Sequence, residues 1–233
     1  MGDLMKKKLL LFLILTLLMI GCSKVIDDNL KEDEIVNKDE NKEKEENKDK
    51  EEKKDMYKNP IATIVFKDLG EMTFELKIND APQSVLNFTE LANKGFYDGL
   101  TMHRIIDSFV AQGGDPDGTG MGGPGYSIKG EFINNRVDNQ TQHDLGAIAF
   151  ARSMARDSAG SQFYIVTGEY DAGNMKRMNE DYAAFGNIVS GVELISVINS
   201  DYATQGGEPQ KPLIIESIKV DTLGQDLAGP DKL

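Results

Sequence analysis

Residues 102–115 read Met-His-Arg-Ile-Ile-Asp-Ser-Phe-Val-Ala-Gln-Gly-Gly-Asp, and the fold turns on how this stretch is read. Two short apolar runs, 102–106 and 109–112, flank Asp107 and Ser108, whose side chains favour a turn by bonding back to their own backbone. The pattern predicts two strands joined by a tight connection. Side chains alternate across a strand, so Met102, Arg104 and Ile106 are expected on one face of the first, and Val110 with Gln112 on one face of the second. A cation, an amide and apolar groups would then share one patch of sheet. An arginine inside an apolar strand is costly unless its donors find acceptors. The competing reading is an edge-strand arginine that snorkels to solvent, and the pattern alone leaves both open.

Working outward, residues 62–66 and 72–76 read as strands around the turn-forming Asp68-Leu69-Gly70-Glu71, with Ile64, Phe66, Phe74 and Leu76 on their apolar faces. A helix follows. Asp80 is placed to cap it, Ala81-Pro82 opens its first turn, Val85, Phe88, Leu91 and Ala92 recur at helical spacing, and Gly95 stops it. The glycine-rich loop 113–125 has no Gly-Lys-Ser/Thr and no helix signal behind it, which argues against phosphate binding. Asp115 and Asp117 read as local caps of that loop before they read as cation ligands. Residues 146–151 form a small-residue strand and 152–159 a polar loop. Gln162 and Tyr164 then share one face, while Phe163 and Ile165 point to the core. A strand at 185–188, a helix at 191–198 and a last strand at 212–220 complete the domain. Many short strands and two good helices argue for an antiparallel barrel.

The motifs name a family. Met102-His103-Arg104 through Gln112-Gly113-Gly114-Asp115 closely resembles the cyclophilin signature, with Met102 in place of phenylalanine. The glycine-rich run to Tyr126, then Gly160-Ser161-Gln162-Phe163-Tyr164-Ile165 and Phe185-Gly186-Asn187-Ile188, match further blocks of the family in the right order. Several ordered motifs make a specific signal, where a lone Gly-Gly-Asp would carry none. The resemblance implies a mainly β fold, a closed eight-stranded antiparallel barrel capped by two helices. It also implies peptidyl-prolyl cis-trans isomerase activity on proline-containing polypeptides. In that reading Arg104 is the catalytic cation and Gln112 holds it. Phe109, Val110, Tyr164 and Met178 form the proline pocket with Tyr182 at its rim. Ala151 and Arg152 present backbone to the peptide, and His103 and Gln162 touch it at the edges. No metal and no cofactor is required. The chain departs from the family at Val110 for methionine, Tyr164 for phenylalanine, Met178 for leucine, Tyr182 for histidine and Arg152 for asparagine. It has no tryptophan, so the family's frequent indole near Arg177 is missing and weak cyclosporin binding is expected.

Composition bounds the rest. The chain has 233 residues, enough for one domain plus additional sequence, and 39% are apolar. The deficit is local, concentrated in residues 27–55, which are almost entirely Asp, Glu, Lys and Asn. Such a segment cannot bury enough apolar area to offset chain entropy and reads as a disordered tether. A flexible chain of about 35 residues spans roughly 30–35 Å. The net charge of −13 argues against nucleic acid as a partner. One cysteine excludes an internal disulfide, and two distant histidines leave little for a metal site.

At the N-terminus, Lys6-Lys7-Lys8 precede an uncharged apolar run, 9–20, the layout of a secretory signal and too short for a comfortable transmembrane helix. The run ends Leu18-Met19-Ile20-Gly21-Cys22-Ser23, which resembles a bacterial lipobox and makes Cys22 the expected lipid-bearing residue. The expected organisation is a lipoprotein signal peptide at 1–21, a lipidated and tethering segment at 22–58, the isomerase domain at 59–224 and a tail at 225–233. The expected location is the outer face of a bacterial membrane, with the protein a lipid-anchored monomer. Two other readings compete. One is a proline-peptide-binding chaperone on the same fold. The other is a soluble cytoplasmic isomerase, against which the N-terminal pattern argues.

Overall fold

The structure, a computed structural model, describes residues 57–233. The signal-like stretch, Cys22 and the charged segment 27–55 lie outside the described residues. The elements run β1 (Ile61–Phe66), β2 (Gly70–Leu76), α1 (Pro82–Asn93), β3 (Arg104–Ile106), β4 (Val110–Gly113), a 3-10 turn (Ile133–Asn135), β5 (Ala147–Phe150), β6 (Phe163–Val166), α2 (Ala172–Asp181), β7 (Ala184–Ser190), α3 (Leu194–Asp201) and β8 (Ile215–Asp221). The strands form one curled antiparallel sheet in the order β3-β4-β6-β5-β7-β2-β1-β8.

Period-two alternation builds the inner face. Ala62 lies opposite Phe74 and Ile64 opposite Met72, and β8 brings Val220 and Ile218 against the same two residues of β1. All six are buried. Helix α1 fills the concavity with Val85, Phe88, Leu91 and Ala92. The Phe88 ring lies 5.2–5.4 Å from those of Tyr97, Phe163 and Phe185, so helix and sheet share one aromatic cluster. Burying one such side chain stabilises by roughly 1.5–3 kcal/mol, which explains why a helix of this modest length stays docked.

Four expectations are corrected. The barrel is not closed by a continuous ladder: β3 and β8 are the sheet's two ends. They approach through a bridge between Thr101 and Ile214 and backbone bonds such as Met102 N–H to the Leu213 carbonyl, 2.9 Å. Three-residue β3 is too short to carry a ladder across the seam. Next, Asp80 does not cap α1. Ala81 occupies the N-cap position without a side-chain bond, and Asp80 instead accepts from Thr141 Oγ1 at 3.0 Å. The helix start is satisfied from a distant loop by buried Glu131, which accepts from Gln83 N (2.9 Å), Ser84 N (2.8 Å) and Ser84 Oγ (2.7 Å). Burial raises the Glu131 carboxyl above its ordinary value, against those bonds.

A third helix, α2, also joins the expected two. Asp171 caps it, accepting from Asn174 N at 2.9 Å, and Met178 is its one buried residue. Lastly, Met102 does not share a face with Arg104. It lies ahead of β3 and packs in the core with Ile105, while Arg104 and Ile106 are half-buried on the other side. The last residues are docked on the domain: Asp231 N donates to Gln83 Oε1 (2.7 Å) and Leu233 N to the Ser127 carbonyl (2.9 Å).

Candidate active site

The hairpin β3–β4 sets the site. Ile106 and Val110 are joined by Asp107, Ser108 and Phe109, with Ser108 in the left-handed region (φ 52°) and Phe109 N–H closing on the Ile106 carbonyl at 3.2 Å. This register places Arg104 directly opposite Gln112, and Gln112 opposite Tyr164 of β6. A line of side-chain bonds results. Arg104 NH1 donates to Gln112 Oε1 (3.2 Å), Gln112 Nε2 to Gln162 Oε1 (3.0 Å), and Gln162 Nε2 to the Gly122 carbonyl (2.9 Å). The strand arginine therefore has an acceptor that fixes it, and it borders a cavity.

That cavity has a volume of about 480 Å³. Arg104 and Gln112 stand on one side; Phe109, Val110, Tyr164 and Met178 supply its apolar wall, and Ala151, Arg152 and Tyr182 border it. Its floor is a second apolar cluster on the outer face of the sheet, where Val110, Ala147, Ala149, Tyr164, Val166 and Met178 pack together. The alternation that sends Ala111, Phe163 and Ile165 inward sends these outward. Phe109 is braced by Tyr170, with ring centroids 5.4 Å apart and the Tyr170 hydroxyl donating to the Phe109 carbonyl at 3.1 Å. Burial raises the Tyr170 and Tyr164 phenols well above their ordinary values, so both are neutral donors.

Beside it lies a second cavity of about 660 Å³, sharing Gln112, Ala151 and Arg152 with the first and bordered by Gln162 and the glycine-rich loop. Asp115 organises that loop, accepting from Asp117 N (2.8 Å) and Gly120 N (2.5 Å). Against the cost of burial, the N–H donors of Asp117, Gly122 and Gly120 hold its carboxyl below the ordinary value. Among the described residues no group of three or more His, Cys, Asp or Glu is placed to hold a metal ion.

Ten of the eleven residues singled out in the sequence border one or both cavities. His103 is the exception. Both its ring nitrogens are buried without a partner, and it borders neither cavity. Burial lowers its pKa, with the nearby Arg104 charge acting in the same direction and Asp115 opposing, so the imidazole is neutral.

Several site residues were missed. His143 is fully buried behind Tyr164. Its Nδ1 and its backbone N–H both meet Asn179 Oδ1, at 2.8 and 2.9 Å, and Nε2 meets the Tyr164 hydroxyl at 2.9 Å. An amide oxygen only accepts, so Nδ1 carries the proton and Tyr164 donates to Nε2. Burial pushes the His143 pKa down to about 4. Arg152 is clamped: its guanidinium carbon lies 4.9 Å from the ring centroids of both Phe132 and Tyr182, and Nε donates to the Asp181 carbonyl at 2.7 Å. Phe132, Asn179 and Asp181 carry no local sequence signal, because their partners are distant in the chain.

Comparison with known proteins agrees with this geometry. Residues 61–220 match the family of cyclophilin type peptidyl-prolyl cis-trans isomerases. The chain belongs to that family. Peptidyl-prolyl cis-trans isomerase B of Bacillus subtilis is 44% identical over 129 residues, covering 55% of this chain and 83% of that protein. A Helicobacter pylori peptidyl-prolyl cis-trans isomerase is 42% identical over 149 residues, covering 64% and 80%. A Staphylococcus aureus putative isomerase is 32% identical over 184 residues, covering 69% and 92%. Among solved structures, a Cryptosporidium parvum cyclophilin crystallised with the dipeptide Ala-Pro superposes with TM-score 0.60 at 27% identity, covering 69% of this chain and 98% of that one. In this cyclophilin the departures at Val110, Tyr164, Met178 and Tyr182 all keep apolar or aromatic surface on the cavity wall.

Proposed function

We propose that this cyclophilin accelerates rotation about X-Pro bonds in exported polypeptides, with the proline seated in the apolar cavity under Arg104. The amide resists rotation because resonance gives its C–N bond partial double-bond character, with a barrier of about 18–20 kcal/mol. Before proline the cis form is accessible, yet uncatalysed exchange takes tens of seconds or more. As the bond twists, conjugation is lost, the nitrogen becomes pyramidal and its lone pair localises. A cation held at that point stabilises the twisted state more than the planar one. The observation that carries the reading is the bond from Arg104 NH1 to Gln112 Oε1 at the edge of an apolar cavity, because it aims the guanidinium without neutralising it. Gln112, itself tied to Gln162, also contacts the peptide, and Ala151 and Arg152 offer backbone to its extended flanks. No proton transfer is needed, which suits a neutral, half-buried His103 whose ring nitrogens have no partner.

A protease-coupled isomerisation assay on the purified full-length chain, beside Arg104→Ala with its fold checked by circular dichroism, tests this. We expect kcat/KM to fall at least tenfold, about 1.4 kcal/mol of transition-state stabilisation. A folded variant with wild-type turnover would refute the role of Arg104. A wild type that binds proline peptides without isomerising them would make the domain a binding module.

The N-terminal pattern supports a membrane-anchored setting, with Cys22 carrying diacylglycerol and residues 22–58 tethering a monomeric domain outside the membrane. Each buried methylene contributes about 0.8 kcal/mol, and more than one acyl chain gives stable attachment. Cys22→Ala releasing the protein from the membrane fraction is the expected outcome. The absence of tryptophan supports weak cyclosporin binding, and affinity equal to that of a tryptophan-bearing relative would refute it.

A further inference from the structure

The chain as a whole is acidic, at −13, and has five arginines, yet three of them (Arg104, Arg152 and Arg177) border the proline cavity. One carboxylate, Asp181, borders it with them. Two of the cations are committed. Arg104 is held by Gln112, and Arg152 is stacked between Phe132 and Tyr182 with its donors on the Asp181 and Ser153 carbonyls.

Arg177 is different. It is exposed, it stands on α2 one residue before Met178, and among the described residues it has no ion-pair partner. The carboxylates that could neutralise it from its own helix are occupied. Glu180 pairs with Lys176, and Asp181 Oδ1 accepts from Asn134 Nδ2 at 2.9 Å with Arg152 NH2 at 4.0 Å. Arg177 borders the first cavity and not the second, whereas Gln112, Ala151 and Arg152 border both. A polypeptide with its proline in the first cavity and one flank over Ala151 into the second therefore leaves by α2 with its other flank.

We propose that this isomerase prefers prolines flanked by an acidic side chain, and that Arg177 is the specificity-determining residue that reads it. The inference rests on the isomerase reading above. The carboxylate belongs on the flank that leaves by α2, where Arg177 has no ion-pair partner among the described residues. A basic side chain there meets three arginines and is disfavoured. An exposed pair of this kind is weak and screened by salt, so the preference is a modest, salt-sensitive one rather than an absolute filter.

The test uses the full-length chain and five proline peptides, with Glu or Lys on either flank and an Ala-flanked reference. A protease-free NMR exchange assay reads them at low and high salt. The expected result is a kcat/KM about three- to tenfold higher for Glu than for Lys on one flank. That ratio shrinks at high salt, disappears in Arg177→Ala and persists in Arg177→Lys. Equal turnover of Glu and Lys peptides on both flanks, by an enzyme that turns over the Ala-flanked reference, overturns the inference and leaves the isomerase reading standing. A preference unchanged in Arg177→Ala overturns it as well. Failure to turn over even the reference defeats the isomerase reading. Peptide affinities by calorimetry then decide this inference alone, tighter Glu binding supporting it and equal binding overturning it.

Discussion

The pair formed by His143 and Tyr164 makes a prediction that can be worked from the structure. In the folded chain the imidazole is fully buried, gives its Nδ1 proton to Asn179 Oδ1 and accepts the Tyr164 hydroxyl at Nε2. Burial holds its pKa at about 4, against the Asn179 bond and the Asp144 charge, which both favour the imidazolium. In the unfolded chain the ordinary value of 6.5 applies. Below pH 6.5 the unfolded state therefore takes up a proton that the folded state refuses until about pH 4, so stability present above pH 6.5 is lost as pH falls through that window. At 1.36 kcal/mol per pH unit, the fall from 6.5 to about 4 corresponds to about 3 kcal/mol, of which about 2 kcal/mol is gone by pH 5. Carboxylates titrate in the same range, so the measurement is a difference. Urea unfolding of the full-length chain and of His143→Gln, followed by circular dichroism from pH 7.5 to 5, isolates the histidine. The wild type is expected to be the more stable at pH 7.5, and its advantage to shrink by about 2 kcal/mol at pH 5. An advantage that stays constant across the range would refute the buried neutral histidine.

Glu131→Ala removes the acceptor for two backbone N–H groups and a hydroxyl at the start of α1, and is expected to cost about 2–3 kcal/mol in chemical denaturation, with Glu131→Gln costing less. Phe88→Ala opens a cavity at the centre of the aromatic cluster and is expected to cost about 3–5 kcal/mol by the same measurement. At Gly168 an added Cβ would lie 1.8 Å from the Ser108 carbonyl oxygen, so Gly168→Ala must displace the hairpin that carries Arg104 and Gln112. A loss of about 1–3 kcal/mol or more is expected there, together with reduced kcat/KM, and a variant with wild-type melting and turnover would sink that reading.

Much of this protein was legible because its signals are local. Alternation at Ile64, Phe66, Phe74 and Leu76 identified β1 and β2 and their buried faces, and Val85, Phe88, Leu91 and Ala92 identified α1. The ordered motifs located the cavity wall, and Gln112, Gln162 and Tyr164 stand where alternation put them. What failed was non-local. Asp80 has ideal capping chemistry, but Thr141 claims its oxygen and Glu131, 47 residues from Ser84, caps the helix instead. Helix α2 escaped notice because it buries Met178 alone and so shows no apolar stripe. Strict alternation misplaced Met102, because the chain does not become a strand until Arg104.

The sequence by itself therefore determined the strand pattern, the central helix, the family and most of the residues that border the cavities, since period, turn chemistry and motif order are properties of the chain read in order. Only the tertiary structure decided that the sheet stops short of a continuous seam and that His103 lies outside both cavities. It alone brought His143 and Asn179 behind Tyr164, and left Arg177 at the cavity's edge with no ion-pair partner among the described residues. Those outcomes depend on which polar groups compete for each acceptor and how much water burial removes from them, and both are set by neighbours far away in sequence.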